Sequence, residues 1–155
     1  MDFEIRKARV ADVPLIYELL NHYANRDLML PRSLSELYDV IRAFNVAFPV
    51  GKADTLAGAC ALHVCWADLG EVRSLSVAQQ YQGYDLGRLL LEAVEKDARD
   101  LGLHRMFVLT YIPEYFKKFG YTDIDKAELP HKIWADCLKC VKFPECGEVA
   151  LEKKL

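Results

Sequence analysis

Apolar residues recur along this chain with two periods, and the places where the period changes mark its elements. Phe3, Ile5 and Ala8 keep a rhythm that predicts a first strand. Asp12 stands as a helix N-cap before Val13, Ile16, Leu19, Leu20 and Tyr23, which repeat at helical spacing. Pro14 fits a first helical turn, which has no N–H bond to lose. After the polar break Asn25-Arg26-Asp27, Ser33 and Glu36 form a Ser-x-x-Glu capping box, and Leu34, Leu37, Tyr38, Ile41 and Phe44 make the stripe of a second helix. Residues 45–50 and 55–66 read as strands joined by Gly51-Lys52-Ala53-Asp54, the second apolar enough to be buried on both faces. Cys60 and Cys65 lie inside it as core thiols.

Residues 71–102 are the stretch around which the rest is organised. Residues 71–77 alternate as a strand, with Glu71, Arg73, Leu75 and Val77 on one face. Then the period lengthens: Leu86, Leu89, Leu90, Ala93, Val94, Ala98 and Leu101 form a helical stripe, with Arg88, Glu92, Glu95, Lys96 and Arg99 opposite, and Gly102 stops the helix. Between strand and helix lies Gln82-Gly83-Tyr84-Asp85-Leu86-Gly87. Small residues feeding a helix start turn backbone N–H groups outward, and the helix dipole adds positive potential there, so the turn is either an anion site or a tight packing turn. Residues 105–110 read as a buried strand, Pro113 opens a short helix over 114–119 closed by Gly120, and 121–124 and 149–151 are the final strands.

Composition narrows the picture. A chain of 155 residues with 52% apolar and 28% charged residues forms one globular domain, 1–155, with enough length to bury a real core. No apolar run approaches the roughly 20 residues of a membrane-spanning helix. The opening MDFEIRKARVADV lacks the apolar core of a secretion signal, so the expected location is cytoplasmic and the thiols are expected to be reduced. A net charge of −3 without a basic run argues against nucleic acid or an anionic membrane as partner, so an acidic ligand needs local cations.

The strand, the Gln-x-x-x-x-Gly turn and the helix resemble the acetyl-CoA-binding core of the GCN5-related N-acetyltransferase (GNAT) superfamily, whose signature is Gln/Arg-x-x-Gly-x-Gly/Ala. Gln82 and Gly87 match it, while Asp85 stands at the middle glycine and places a carboxylate where the family approaches the pyrophosphate. Either Asp85 turns outward or cofactor binding is weakened. The order of elements and the ending Phe-Lys-Lys-Phe-Gly-Tyr extend the likeness over nearly the whole chain. It implies an α/β (α+β) fold with a mixed, mostly antiparallel sheet of six to seven strands and about four helices, and acetyl-CoA as cosubstrate. The cofactor-binding residues carried over are Leu75, Ser76 and Val77 on the strand and Gln82, Gly83, Tyr84, Asp85, Leu86, Gly87 and Arg88 on the turn.

Acetyl transfer to an amine needs a neutral nucleophile, a polarised thioester carbonyl and a proton for the leaving thiolate. The resemblance points to Glu71 as the base, against the alternative of a solvent-facing glutamate at a strand end. It also points to a backbone N–H within Leu75 to Val77 as the carbonyl donor. The position of the family's acidic tyrosine holds Phe116, so Tyr111 and the adjacent Tyr115, about 100° away on a helix, are the substitutes considered.

Met29-Leu30-Pro31-Arg32-Ser33, residues 71–77, Phe107-Val108-Leu109-Thr110 and the tail from Leu129 to Cys137 resemble the short, stand-alone N-acetylglutamate synthases. That implies glutamate as acceptor, a small-molecule amino-acid partner whose two carboxylates call for Arg32, Arg73 and Lys132. Family members are often dimers, so a homodimer is a further expectation. The alternatives are an acetyltransferase for another small amine and a non-catalytic module that keeps the fold. His131, Cys137, Cys140 and Cys146 have the donor types of a structural zinc site, but the spacing is imperfect and the reading adopted is a set of reduced thiols without metal.

Overall fold

Two strands that pair in parallel need a long crossover, and the helix between residues 77 and 105 supplies it. The computed structural model describes residues 1–26, 31–130 and 148–155. In chain order the elements are β1 (Phe3–Lys7), α1 (Val13–Ala24), α2 (Leu34–Asp39), β2 (Phe44–Pro49), β3 (Gly58–Trp66) and β4 (Leu69–Val77). They continue with α3 (Leu86–Asp100), β5 (Arg105–Thr110), α4 (Pro113–Lys117), β6 (Thr122–Asp123) and β7 (Val149–Lys154). The seven strands follow the order β1-β2-β3-β4-β5-β7-β6. β4 and β5 are parallel, from Leu69↔Arg105 to Glu71↔Phe107, whereas β1/β2, β2/β3, β5/β7 and β6/β7 are antiparallel. This is the mixed, mostly antiparallel sheet that the resemblance implied.

The chain divides into two compact units: Met1–Leu62 with Val72–Asp97, and His63–Glu71 with Ala98–Leu155. In the first, Val13, Ile16 and Leu20 of α1 join Leu37, Phe44, Val46, Phe48 and Leu56 in one buried cluster. Each aliphatic side chain so buried contributes about 1.5–3 kcal/mol. All six residues of β2 are buried, so this strand is covered on both faces.

Four local expectations fail in the first unit. Asp12 does not cap α1; its carboxylate accepts from the Arg9 backbone N–H at 2.7 Å and from the Arg6 guanidinium at 2.7 and 3.1 Å. A bidentate charged donor outcompetes the helix's own N–H groups. The second helix stops at Asp39, and Ile41–Ala43 is a separate 3-10 turn leading into β2. The apolar spacing there ran across three elements, which leaves Leu34 and Tyr38 exposed beside a buried Leu37. Ser33 still caps, accepting from the Glu36 N–H at 3.1 Å, but the Glu36 carboxylate goes to Arg32 instead of closing the box. On α3, Glu95 is buried rather than solvated. Burial, and then the Glu95 charge, push the neighbouring Cys60 thiol well above its ordinary range, so Cys60 is an inert core group.

The second unit is built around Cys65, Leu69, Phe107, Leu129 and Ala150. β7 pairs with β5 over its full length, from Arg105↔Lys154 to Thr110↔Val149, and with β6 at Thr122↔Glu152 and Asp123↔Leu151. The Arg105 guanidinium bonds the Glu152 carboxylate across that pair.

Candidate active site

β4 is not a regular strand. Ser74 has φ +59°, a left-handed conformation inside an extended run, so the common face expected of Glu71, Arg73, Leu75 and Val77 ends at Arg73. A left-handed residue within a strand is the mark of a bulge, which takes a residue out of the ladder and re-aims those that follow. The Ser76 hydroxyl donates to the Ser74 carbonyl at 3.0 Å. Gly58 on β3 makes room for this geometry: a Cβ there would lie 2.9 Å from the Ser76 carbonyl oxygen and 2.8 Å from Leu90 Cδ1.

The turn that follows places Gln82, Gly83, Tyr84 and Asp85 at the surface and buries Leu86 and Gly87 at the start of the 15-residue helix α3. Two of its residues are left-handed, Gly83 at φ +89° and Asp85 at φ +67°. Position 85 therefore requires the conformation that glycine adopts freely, and aspartate is among the few side chains that tolerate it. Its carboxylate turns to Arg88, 2.6 Å from Nε and 2.5 Å from Nη2, and Arg88 also bonds Glu92 at 2.8 Å. Those two carboxylates, Asp85 first, raise the guanidinium pKa further above its ordinary value. A turn with two left-handed residues at a helix N-terminus, with a partly exposed arginine side chain beside it, can receive a phosphate.

Gln82, read as the first residue of the signature, sends its side-chain amide to the Tyr23 hydroxyl at 3.1 Å, and Tyr23 in turn donates to the Val77 carbonyl. Sequence reading counted Tyr23 only among the apolar residues of α1, because a tyrosine at stripe spacing carries no sign of what its hydroxyl will meet. Arg32 reaches β4: Nη1 donates to Ser74 Oγ at 3.0 Å, Nε pairs with Glu36 at 2.8 Å, and the guanidinium lies over the Phe44 ring at 5.7 Å from its centroid. It is brought next to the segment that carries Arg73. Ser74 and Glu36 as partners of Arg32 were not found from sequence; only the Arg32-Glu36 spacing of four could have signalled the ion pair.

In the second unit, Glu71 is 7% exposed and sits opposite Phe107 on β5. That overturns the alternative of a solvent-facing strand end, since the strand begins two residues earlier at Leu69. Tyr111, just beyond β5, and Tyr115 on α4 are both partly buried. Tyr115 packs edge-on against Phe116 and Phe119, at 5.5 and 5.2 Å between ring centroids. Phe116, at the family's tyrosine position, is buried against Tyr121 with centroids 5.9 Å apart, which makes it a packing residue. Lys132, His131, Cys137, Cys140 and Cys146 lie outside the described residues, as do Met29 and Leu30. Among the described residues no group of three His, Cys, Asp or Glu side chains is placed to hold a metal, and no helix is long and apolar enough to cross a membrane.

The model of the acetyltransferase (GNAT) family matches residues 14–121, which takes in the strand, the turn and α3. This chain belongs to the GNAT family. It is an acetyl-CoA-dependent acyltransferase. An uncharacterized N-acetyltransferase of Chlorobaculum tepidum is 38% identical over 151 residues, covering 97% of this chain and 96% of that one. The amino-acid acetyltransferase of Mycobacterium tuberculosis is 38% identical over 130 residues, covering 84% and 74%. A Mycobacterium tuberculosis protein solved in complex with CoA superposes with a TM-score of 0.85 at 29% identity, over 98% of this chain and 99% of that one. The N-acetylglutamate synthase of Neisseria gonorrhoeae, solved with coenzyme A and N-acetyl-glutamate, gives a TM-score of 0.90 at 28% identity; all of this GNAT chain is covered but only 35% of that longer one.

Proposed function

We propose that this GNAT enzyme acetylates the amino group of L-glutamate with acetyl-CoA, the reaction of an N-acetylglutamate synthase, which would place it in the arginine route. The observation that carries this reading is Arg32, whose side chain is only 10% exposed and is held 3.0 Å from Ser74 Oγ, one residue from Arg73. A guanidinium so far removed from water needs anionic partners, and Glu36 occupies only one side of its fork. Glutamate brings two carboxylates to this pair of arginines, with Lys132 as a third cation from the tail. Relatives named as amino-acid acetyltransferases, and the likeness to an N-acetylglutamate synthase holding its product, support an amino acid as acceptor.

In this reading the pyrophosphate of acetyl-CoA lies on the Gly83–Gly87 turn, with Arg88 beside it. Glu71, directly or through a water, takes a proton from the ammonium group, and the freed amine attacks the thioester carbonyl. Backbone N–H groups of the bulged segment Leu75 to Val77 stabilise the oxygen as it gains charge. The C–S bond then breaks, the nitrogen gives up its second proton to water to leave a neutral amide, and the CoA thiolate takes a proton, from Tyr111 or Tyr115 in the second unit or from water.

Thiol release from acetyl-CoA, measured with glutamate, glutamine, aspartate, lysine and no acceptor, tests the assignment. Release that depends on glutamate is expected, and Arg32→Met should raise the KM for glutamate far more than that for acetyl-CoA. Preference for another amine would transfer the site to the second reading, a GNAT enzyme of different acceptor.

A further inference from the structure

Tyr23 ends the apolar stripe of α1, but its chemistry lies at the tip of the ring. The hydroxyl donates to the carbonyl of Val77, the last residue of β4, and accepts from the Gln82 side-chain amide at 3.1 Å. Residues 78–81 connect those two points: Ala78 is paired to Ala57 by a 2.8 Å backbone bond, and Gln79–Tyr81 form a 3-10 turn. One phenolic oxygen thus fixes the end of the strand to the start of the glycine turn. Tyr81 packs edge-on against Phe3 with centroids 5.7 Å apart, so the connecting turn is itself anchored on β1.

Acetyl-CoA has charge at its pyrophosphate and reactivity at the far end of a flexible arm. A protein that grips both must hold its two grips at a set separation, or ordering them at each binding event costs affinity. We propose that Tyr23 is a positioning residue for acetyl-CoA, its hydroxyl clamping the end of β4 to the phosphate turn so that thioester and pyrophosphate are held at a fixed spacing. This rests on the assignment of the turn to the pyrophosphate.

The test is Tyr23→Phe, which keeps the ring and its packing on α1. Binding of CoA and of its nucleotide head, adenosine 3′-phosphate 5′-diphosphate, is measured by calorimetry on the full chain. CoA affinity is expected to fall about three- to tenfold, the effect of one lost hydrogen-bonding group. The nucleotide head, which meets only the turn, should bind both proteins within about twofold. In steady state the KM for acetyl-CoA should rise by the same factor as the CoA affinity falls, a larger change than in kcat or in the acceptor KM. Unaltered CoA affinity, or equal losses for CoA and its head, would overturn the clamp. If the wild-type chain binds neither ligand, the pyrophosphate assignment itself falls, a result distinguishable from failure of the clamp.

Discussion

At the scale of the residue, Asp85 combines two liabilities: a left-handed backbone at φ +67° and a carboxylate at a phosphate turn. Its ion pair with Arg88 softens the second by drawing the charge along α3. Asp85→Gly removes both and releases Arg88, so acetyl-CoA should bind about two- to fivefold more tightly, with a steeper salt dependence. Calorimetry at two ionic strengths checks this, and equal affinity would mean that Arg88 already cancels the carboxylate. Glu71→Gln should lower turnover more at neutral than at alkaline pH, where more of the amine is already deprotonated; an unchanged pH profile of kcat would remove Glu71 from the proton path. Glu71, Gln82 and Asp85 could be picked out in the sequence because the family resemblance marks their positions on the strand and the turn. Tyr23, Ser74 and Glu36 were not, because each has an ordinary place in an element and acquires its role only through a partner distant in sequence or orientation.

At the scale of the element, the bulge in β4 depends on Gly58 in β3. An added methyl group would meet the Ser76 carbonyl at 2.9 Å, and backbone there cannot step aside as a side chain can. Gly58→Ala should cost about 1–3 kcal/mol in a denaturant titration. It should also raise the KM for acetyl-CoA, since the strand end moves with Ser76. β5 was readable from its unbroken apolar run and α3 from its helical apolar spacing. α2 was not: Leu37, Ile41 and Phe44 keep helical spacing while belonging to a helix, a 3-10 turn and a strand, and periodicity cannot see a boundary that preserves the period. The bulge was equally hidden, since Ser74 is not a residue that announces a positive φ.

At the scale of the whole molecule, acid stability draws on Asp12. Burial alone would raise its carboxyl, but the Arg6 fork and the Arg9 N–H outweigh burial and hold the pKa below the ordinary carboxylate value. A group lowered on folding stabilises above its unfolded pKa, about 4, and that contribution is lost as pH falls through the folded value. Asp12→Asn should therefore cost about 1–3 kcal/mol at neutral pH and leave a shallower loss of stability on acidification, read from denaturant midpoints across the acid range. The mixed sheet was foreseeable because the order of periods along the chain matched a known order of elements; the division into two compact units was not, since it cuts through β3 and β4 without any break in composition. The strand order has one more consequence, in the timing of synthesis. β7 fills the slot between β5 and β6, yet residues 149–154 are translated after both. A ribosome making this chain leaves the β7-side edge of β5, Arg-Met-Phe-Val-Leu-Thr, without that partner for the time needed to add about forty residues, the kind of open edge on which nascent chains aggregate.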